Sequence, residues 1–288
     1  MATLRDIKRR IGSVSNTRQI TSAMKMVSTA KLNRAQTAVR AAQPFAESLR
    51  EMVTYIAGGL TAEDHPLFAS PEGGKTVVVL FTSDRGLCGA FNSGLNRHVQ
   101  HAIEEMGPRE NTELIVFGRV GNDHFRKRGF TISQSILYKR EAERREEIRG
   151  IIEGLKERFM EGEVGKVLLA YNHFASAMTQ EPRMMQLFPI EPPQAEDAAE
   201  GSDEREALFE PSRSEVLDSL LPRYLENQCL LAHLNTEAGE HGARMVAMDG
   251  ATRNAGEMIK NLTLQYNRVR QAAITKELIE IVNGAQAL

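Results

Sequence analysis

Apolar residues recur every three or four positions near the start of the chain, from Leu4 to Ile56. This heptad spacing places side chains along one seam of a helix. The seam turns polar over residues 18–28, and we interpret that stretch as one that partner proteins contact intermittently. Pro44 is expected to bend this N-terminal helix, and the glycines at 58–59 are expected to end it.

The C-terminal third has the same spacing over a longer run, from Leu217 to Ala273. Ser212 and Glu215 stand at the spacing of a capping box and predict where this helix begins. The two helices are expected to pack as an antiparallel coiled coil, about 80 Å and about 110 Å long at 1.5 Å per residue. The longer one should project beyond its partner by roughly 30 Å.

The projecting end carries an apolar stripe that has no helix left to cover it. We expect this stripe to enter a socket in another protein, because exposed apolar patches are usually binding surfaces. A frayed terminus is the alternative. The stripe consists of Ile274, Leu278, Ile281, Val282, Ala285 and Leu288.

The middle of the chain predicts an α/β domain. Continuous apolar and β-branched runs at 76–81, 113–117 and 167–171 predict buried strands, and residues 184–188 predict an edge strand. Helical segments are expected at 92–105, 123–127 and 140–160, and their alternation with strands favours a mostly parallel, doubly wound sheet. The predicted division is an N-terminal coiled-coil helix at 1–58, a Rossmann-like α/β domain at 75–190, an acidic flexible loop at 191–210 and a C-terminal coiled-coil helix at 212–286.

Charge is unevenly distributed although the 288 residues carry a formal net charge of only −2. Residues 1–50 are strongly basic and residues 191–210 strongly acidic, which suggests a basic arm that meets an acidic partner. A mitochondrial transit peptide would also be basic, but the apolar stripe continues without a processing boundary. No apolar run reaches the roughly 20 residues that a membrane-spanning helix needs. Cys88 and Cys229 have no metal-ligand or disulfide spacing.

Two other functional classes stay open from the residues alone. The glycine-containing turn at 82–92 lies between a strand and a helix, as phosphate-binding turns do, yet it matches neither common nucleotide-binding spacing. The basic arm could contact nucleic acid phosphates, although it lacks interleaved aromatic residues. His98 and His101 share a helical face without a third metal ligand, so no catalytic or metal site is predicted.

Several segments resemble one family, the gamma subunits of bacterial F-type ATP synthases. They are the terminal run at 274–285, the segments at 244–255 and 267–272, the segment at 20–27 and the turn at 83–92. The segments occur in the family's order, and the resemblance covers essentially the whole chain. It implies a non-catalytic central rotor stalk that couples proton-driven rotation of the c-ring to conformational changes in the alpha and beta subunits.

The resemblance also implies partners and site residues. The partners would be the alpha, beta and epsilon subunits and the c-ring of Fo, with no cofactor, no metal, no nucleic acid and membrane contact only through Fo. The location would be peripheral, on the cytoplasmic side of the cell inner membrane. Lys25 stands where some members have an acidic residue, so its ion-pair partner is not implied. The implied partner contacts are Arg270, Gln271, Met24, Lys25, Thr275, Glu277 and Glu280, and the implied c-ring foot is Leu208, Phe209 and Glu210.

Overall fold

The computed structural model describes residues 3–57, 66–68, 73–137, 141–190, 210 and 212–286. The chain divides into two compact units. Met1–Thr29 and Arg244–Leu288 form one, which we call the two-helix unit, and Ala30–Ala243 form the other, the α/β unit. The division falls inside the two long helices, α1 (Leu4–Ala57) and α5 (Arg213–Gln286).

The α/β unit contains one five-stranded sheet with the strand order β3-β2-β1-β4-β5. The first four strands in this order are parallel, and β5 runs antiparallel to β4 at the edge. This confirms the predicted mostly parallel, Rossmann-like sheet. The strands are β1 (Lys75–Phe81), β2 (Thr112–Phe117), β3 (Thr131–Ile136), β4 (Val164–Phe174) and β5 (Gln180–Phe188), and the shorter helices are α2 (Phe91–Met106), α3 (Arg119–Arg126) and α4 (Glu141–Met160).

Helices cover both faces of this sheet, because successive side chains of a strand point to opposite faces. Val77, Val79 and Phe81 of β1 face a core shared with α1, α4 and the first part of α5. Val78 and Leu80 face a second core, shared with α2 and α3. The sheet is therefore doubly wound, as the alternation of strands and helices predicts.

Sequence reasoning did not predict β3. Its residues are mostly exposed, and among the described strands it pairs only with β2. An edge strand of this kind needs no continuous apolar run, so it lacks the signal by which β1, β2 and β4 were predicted. The predicted edge strand at 184–188 is confirmed, as part of β5.

Both long helices begin with side-chain caps. The Glu215 amide donates to Ser212 Oγ over 3.2 Å, which confirms the predicted start of α5. At the start of α1, the Asp6 amide and Thr3 Oγ1 lie 3.3 Å apart, a cap that the sequence reasoning missed. Pro44 lies within α1, and residues 58–59, predicted to end that helix, lie outside the described residues.

We expect Gly118→Ala to destabilise the α/β unit by about 2–5 kcal/mol. Gly118 has φ +96°, and an added Cβ would lie 2.4 Å from the Thr82 carbonyl oxygen. Gly150→Ala is the matched control, since Gly150 lies in α4 with open space around it. Chemical denaturation of the purified chain measures both, and equal unfolding midpoints for the two variants would contradict the close approach.

The pH dependence of stability should carry a contribution from Glu113. Two hydrogen bonds from Arg158, of 2.7 and 3.0 Å, hold the pKa of this carboxyl below its ordinary value, against the effect of burial. A carboxyl whose folded pKa is depressed stabilises the fold above its unfolded pKa of about 4.3, and loses that contribution as the pH falls through the folded pKa.

Glu113→Gln should therefore lower the free energy of unfolding near pH 7 by about 1–3 kcal/mol. The gap from wild type should close as the pH falls below about 4. Denaturation curves across this range measure the effect. Glu105→Gln is the control, because Glu105 pairs with His101 at an exposed position and should leave the midpoint unchanged. A gap that persists at low pH would show that the ion pair is not its cause.

Candidate interaction surface of the two-helix unit

The glycine-containing turn after β1 is closed by its own side chains. Asn92 Oδ1 accepts from the Ser83 amide over 3.0 Å, and Asn92 Nδ2 donates to Ser83 Oγ over 2.7 Å. Asp84 Oδ1 accepts from the Arg119 amide over 3.1 Å, which places a carboxylate at this edge of the sheet. An amide side chain inside the turn and a nearby carboxylate suit a structural link between β1, α2 and α3 better than a phosphate cradle.

Cys229 and His101 are not arranged as reactive groups. Burial raises the pKa of the Cys229 thiol to about 12, so it stays protonated and inert near neutral pH. His101 contacts Glu105 on α2, with Nδ1 and Oε2 3.2 Å apart. Across the described part of the chain, no three His, Cys, Asp or Glu side chains are grouped as metal ligands.

The two-helix unit joins the first part of α1 to the last part of α5. Thr21 Oγ1 and Thr252 Oγ1 lie 2.8 Å apart, and Lys25 Nζ lies 2.6 Å from Asp249 Oδ1. Residue numbers rise along one helix as they fall along the other, so the helices are antiparallel, as predicted. Thr21 and Ser28 are buried. The polar middle of the seam is thus partly packed within the chain, whereas Arg18 of the same stretch is exposed, so the partner contact that we expect there stays a prediction.

Asp249 is held between two cations. Lys25 reaches it from α1, and Arg253 Nη2 lies 3.3 Å from its Oδ2 along α5. The hydrogen bond from Lys25 is the main reason that the pKa of Asp249 is lowered. Asp249 is therefore ionised at neutral pH, and the pair supplies the partner of Lys25 that the family resemblance did not.

The implied contact residues occupy the surface of this unit. Arg270, Gln271, Thr275 and Glu277 of α5 are exposed, whereas Met24 and Lys25 of α1 are half-buried. Glu280 lies in α5, and its side chain lies outside what the structure describes. In the implied foot, Glu210 is exposed, while Leu208 and Phe209 lie outside the described residues.

The last turns of α5 expose large apolar side chains. Ile274, Leu278, Ile281 and Val282 expose 50, 57, 67 and 53% of their surface. Ile20 and Val27 of α1 are also exposed, at 59 and 57%. The predicted apolar stripe is therefore uncovered in its described part; Ala285 and Leu288 belong to it by sequence only.

The surface is also basic. The sequence of the two-helix unit has twelve Lys and Arg against five Asp and Glu, a net charge of +7. The α/β unit has 24 Lys and Arg against 33 Asp and Glu, a net charge of −9. An apolar and basic helical surface is suited to a partner that offers apolar pockets and acidic side chains.

Known proteins match this chain over essentially its full length. The family model described as ATP synthase matches residues 3–288. The ATP synthase gamma chain of Anaeromyxobacter sp. (strain Fw109-5) is 47% identical over 292 residues, which cover 100% of both chains. This chain belongs to the ATP synthase gamma-chain family. The gamma chain of Pelotomaculum thermopropionicum is 43% identical over 288 residues and is also covered completely.

Solved structures share the fold of this gamma chain. A chain in the OSCP/F1/c-ring structure of Euglena gracilis mitochondrial ATP synthase matches with a TM-score of 0.67 and 19% identity, covering 99% of this chain and 94% of that one. A chain in the central stalk/c-ring structure of the Tetrahymena thermophila enzyme matches with a TM-score of 0.60 and 22% identity, covering 81% and 99%. Within the described residues, no helix has the length and apolar character required to cross a bilayer.

The sequence analysis did not predict that Asp249 contacts Lys25 or that Thr252 contacts Thr21. Thr21 and Thr252 lie within the two runs of heptad spacing, but the spacing does not state which positions of the two helices face each other. An acidic residue next to the seam of α5 was the available signal for a partner of Lys25.

Proposed function

We propose that this gamma chain is the central rotor shaft of the F1 sector of an ATP synthase and catalyses nothing itself. The observation that carries the proposal is the uncovered apolar and basic surface of the two-helix unit. Contiguous apolar side chains on a helix end are an aggregation hazard unless a partner covers them. A ring of alpha and beta subunits would provide that cover.

The proposed mechanism needs a surface that differs around its circumference. Exposed Ile20 and Val27 belong to α1, whereas exposed Arg270 and Gln271 belong to α5. When proton flow turns the c-ring and the shaft with it, each beta subunit meets a different set of side chains. Differential contacts bias each beta subunit between conformations of different nucleotide affinity, and this drives product release.

We assign the partner contacts to the residues whose positions match the motifs of the gamma-chain family. Arg270 and Gln271 contact a loop of the beta subunit during rotation, and Met24 and Lys25 lie near its lever region. Thr275, Glu277 and Glu280 contact the socket around the end of α5. Leu208, Phe209 and Glu210 form the foot on the c-ring, and epsilon binds the α/β unit. The chain reaches the membrane only through Fo, on the cytoplasmic side of the cell inner membrane.

Co-purification of a tagged chain from its own cells tests the proposal. We expect alpha, beta and epsilon subunits to be identified by mass in a complex that hydrolyses ATP. Recovery of the chain alone, or with nucleic acid, would refute the proposed role as a rotor shaft. Calorimetry with NAD or ATP on the isolated chain tests the nucleotide-binding alternative, because micromolar binding would support a site in the turn at 82–92.

Removal of residues 278–288 should leave the isolated chain as stable as wild type but reduce torque in the assembled complex. The described side chains in this segment are exposed, so their loss costs the fold little. Thermal unfolding and single-molecule rotation measure the two effects. Leu264→Ala, which truncates another exposed apolar side chain of α5, is a control for generic loss of surface. Unchanged torque after removal of the segment would contradict the proposal that a socket in the partner subunits holds the end of α5.

A further inference from the structure

Few large apolar side chains are fully buried in the two-helix unit. Among the described residues of this unit, six are buried: Ile7, Thr21, Ser28, Arg244, Met248 and Ala255. Small residues let helices approach closely, but they distinguish poorly between one axial register and another. In coiled coils, polar side chains at the seam commonly specify the register, at some cost in stability.

Two neighbouring polar contacts join α1 and α5 and can specify their axial register. The hydroxyls of Thr21 and Thr252 meet across the seam, and one turn along α1 the Lys25 ammonium meets the Asp249 carboxylate. Thr252 Oγ1 also lies 2.7 Å from the Met248 carbonyl oxygen, which orients it. The contacts lie four residues apart on α1 and three apart on α5, as successive layers of an antiparallel pair require.

A shift of α5 by one heptad would break both contacts. In one direction Lys25 would face Gly256 and Thr21 would face Ile259; in the other direction Thr21 would face Met245. Either shift leaves a hydroxyl against an apolar side chain and separates Lys25 from Asp249. A smaller shift by one helical turn would bring Lys25 toward Arg253, a like charge.

We infer that Lys25–Asp249 and Thr21–Thr252 lock the axial register of α1 and α5. Lys25 and Asp249 are thus positioning residues, whose first role is within this chain. A shaft transmits torque faithfully only if its two helices keep their register, so the consequence for coupling rests on the proposed function. The register itself does not depend on that proposal.

Spin-label distances on the full chain test the register directly. Labels at Asn16→Cys and Asn283→Cys occupy exposed positions about 40 Å apart along the helix axis, so that their distance follows an axial shift, while Cys88 and Cys229 are buried. We expect one distance in the wild type. Lys25→Glu and Asp249→Lys should each add a second peak, displaced along the axis by about 5–10 Å for a shift of one turn or one heptad. The double variant Lys25→Glu/Asp249→Lys should restore the single distance.

Lys260→Glu is the matched control, because it makes the same charge change at an exposed position of α5. It should leave the distance unchanged. Lys25→Met keeps the apolar stem and should also show the second peak, which covers the case in which charge reversal lowers helix content. Unchanged distances in the single variants, no rescue in the double variant, or broadening without a displaced peak would each overturn the inference.

The assembled complex provides a second readout. The ratio of ATP-driven proton pumping to ATP hydrolysis should fall in each single variant, by about twofold or more, and recover in the double variant; no fall, or no recovery, would refute the consequence for coupling. If the wild-type chain does not assemble with alpha and beta subunits, the proposed function fails, while the spin-label distances still decide the register.

Discussion

Strand β1 is buried on both faces, and the arrangement of the α/β unit depends on this constraint. A parallel strand in the middle of a sheet has no solvated face, so each face needs helices against it. On one face those helices include the end of α1 and the beginning of α5, through Val53, Ile56, Leu217 and Leu221. The sheet core thereby makes the two longest helices of the chain neighbours. Both helices continue in sequence beyond the α/β unit and contribute the two-helix unit.

The two units are stabilised by different kinds of contact. In the α/β unit, large apolar side chains pack on a sheet, and an ion pair such as Glu113–Arg158 is a local addition. In the two-helix unit, the described buried residues are mostly small or polar, so less apolar area is removed from water. Specific polar contacts such as Lys25–Asp249 therefore carry a larger share of the cohesion here than in the α/β unit. In the shaft that we propose, enclosure by other subunits would limit separation of the helices and would leave their register as the property that the chain must define.

Periodic sequence patterns predicted the buried strands and the long helices. They did not predict an exposed edge strand or which side chains of the two long helices contact each other. Continuous apolar runs predicted β1, β2 and β4, and heptad spacing with the Ser212 cap predicted α5. The edge strand β3 escaped because Ser133, Gln134 and Ser135 face solvent and carry no apolar run. The partner of Lys25 escaped for another reason. Asp249 is 224 residues away, and only the three-dimensional register brings them together.

The uncovered apolar end of α5 and the basic charge of the two-helix unit have one physical explanation. Ile274, Leu278 and Ile281 would drive self-association in water, whereas a net charge of +7 opposes it by mutual repulsion of like units. The same charge would attract an acidic partner, and the apolar side chains would stabilise the proposed complex once contact is made. In the proposed complex, charge would govern encounter and apolar burial would govern retention. The rotor shaft that we propose would need this combination, because long-range attraction varies little on rotation, whereas short-range contacts change with every step.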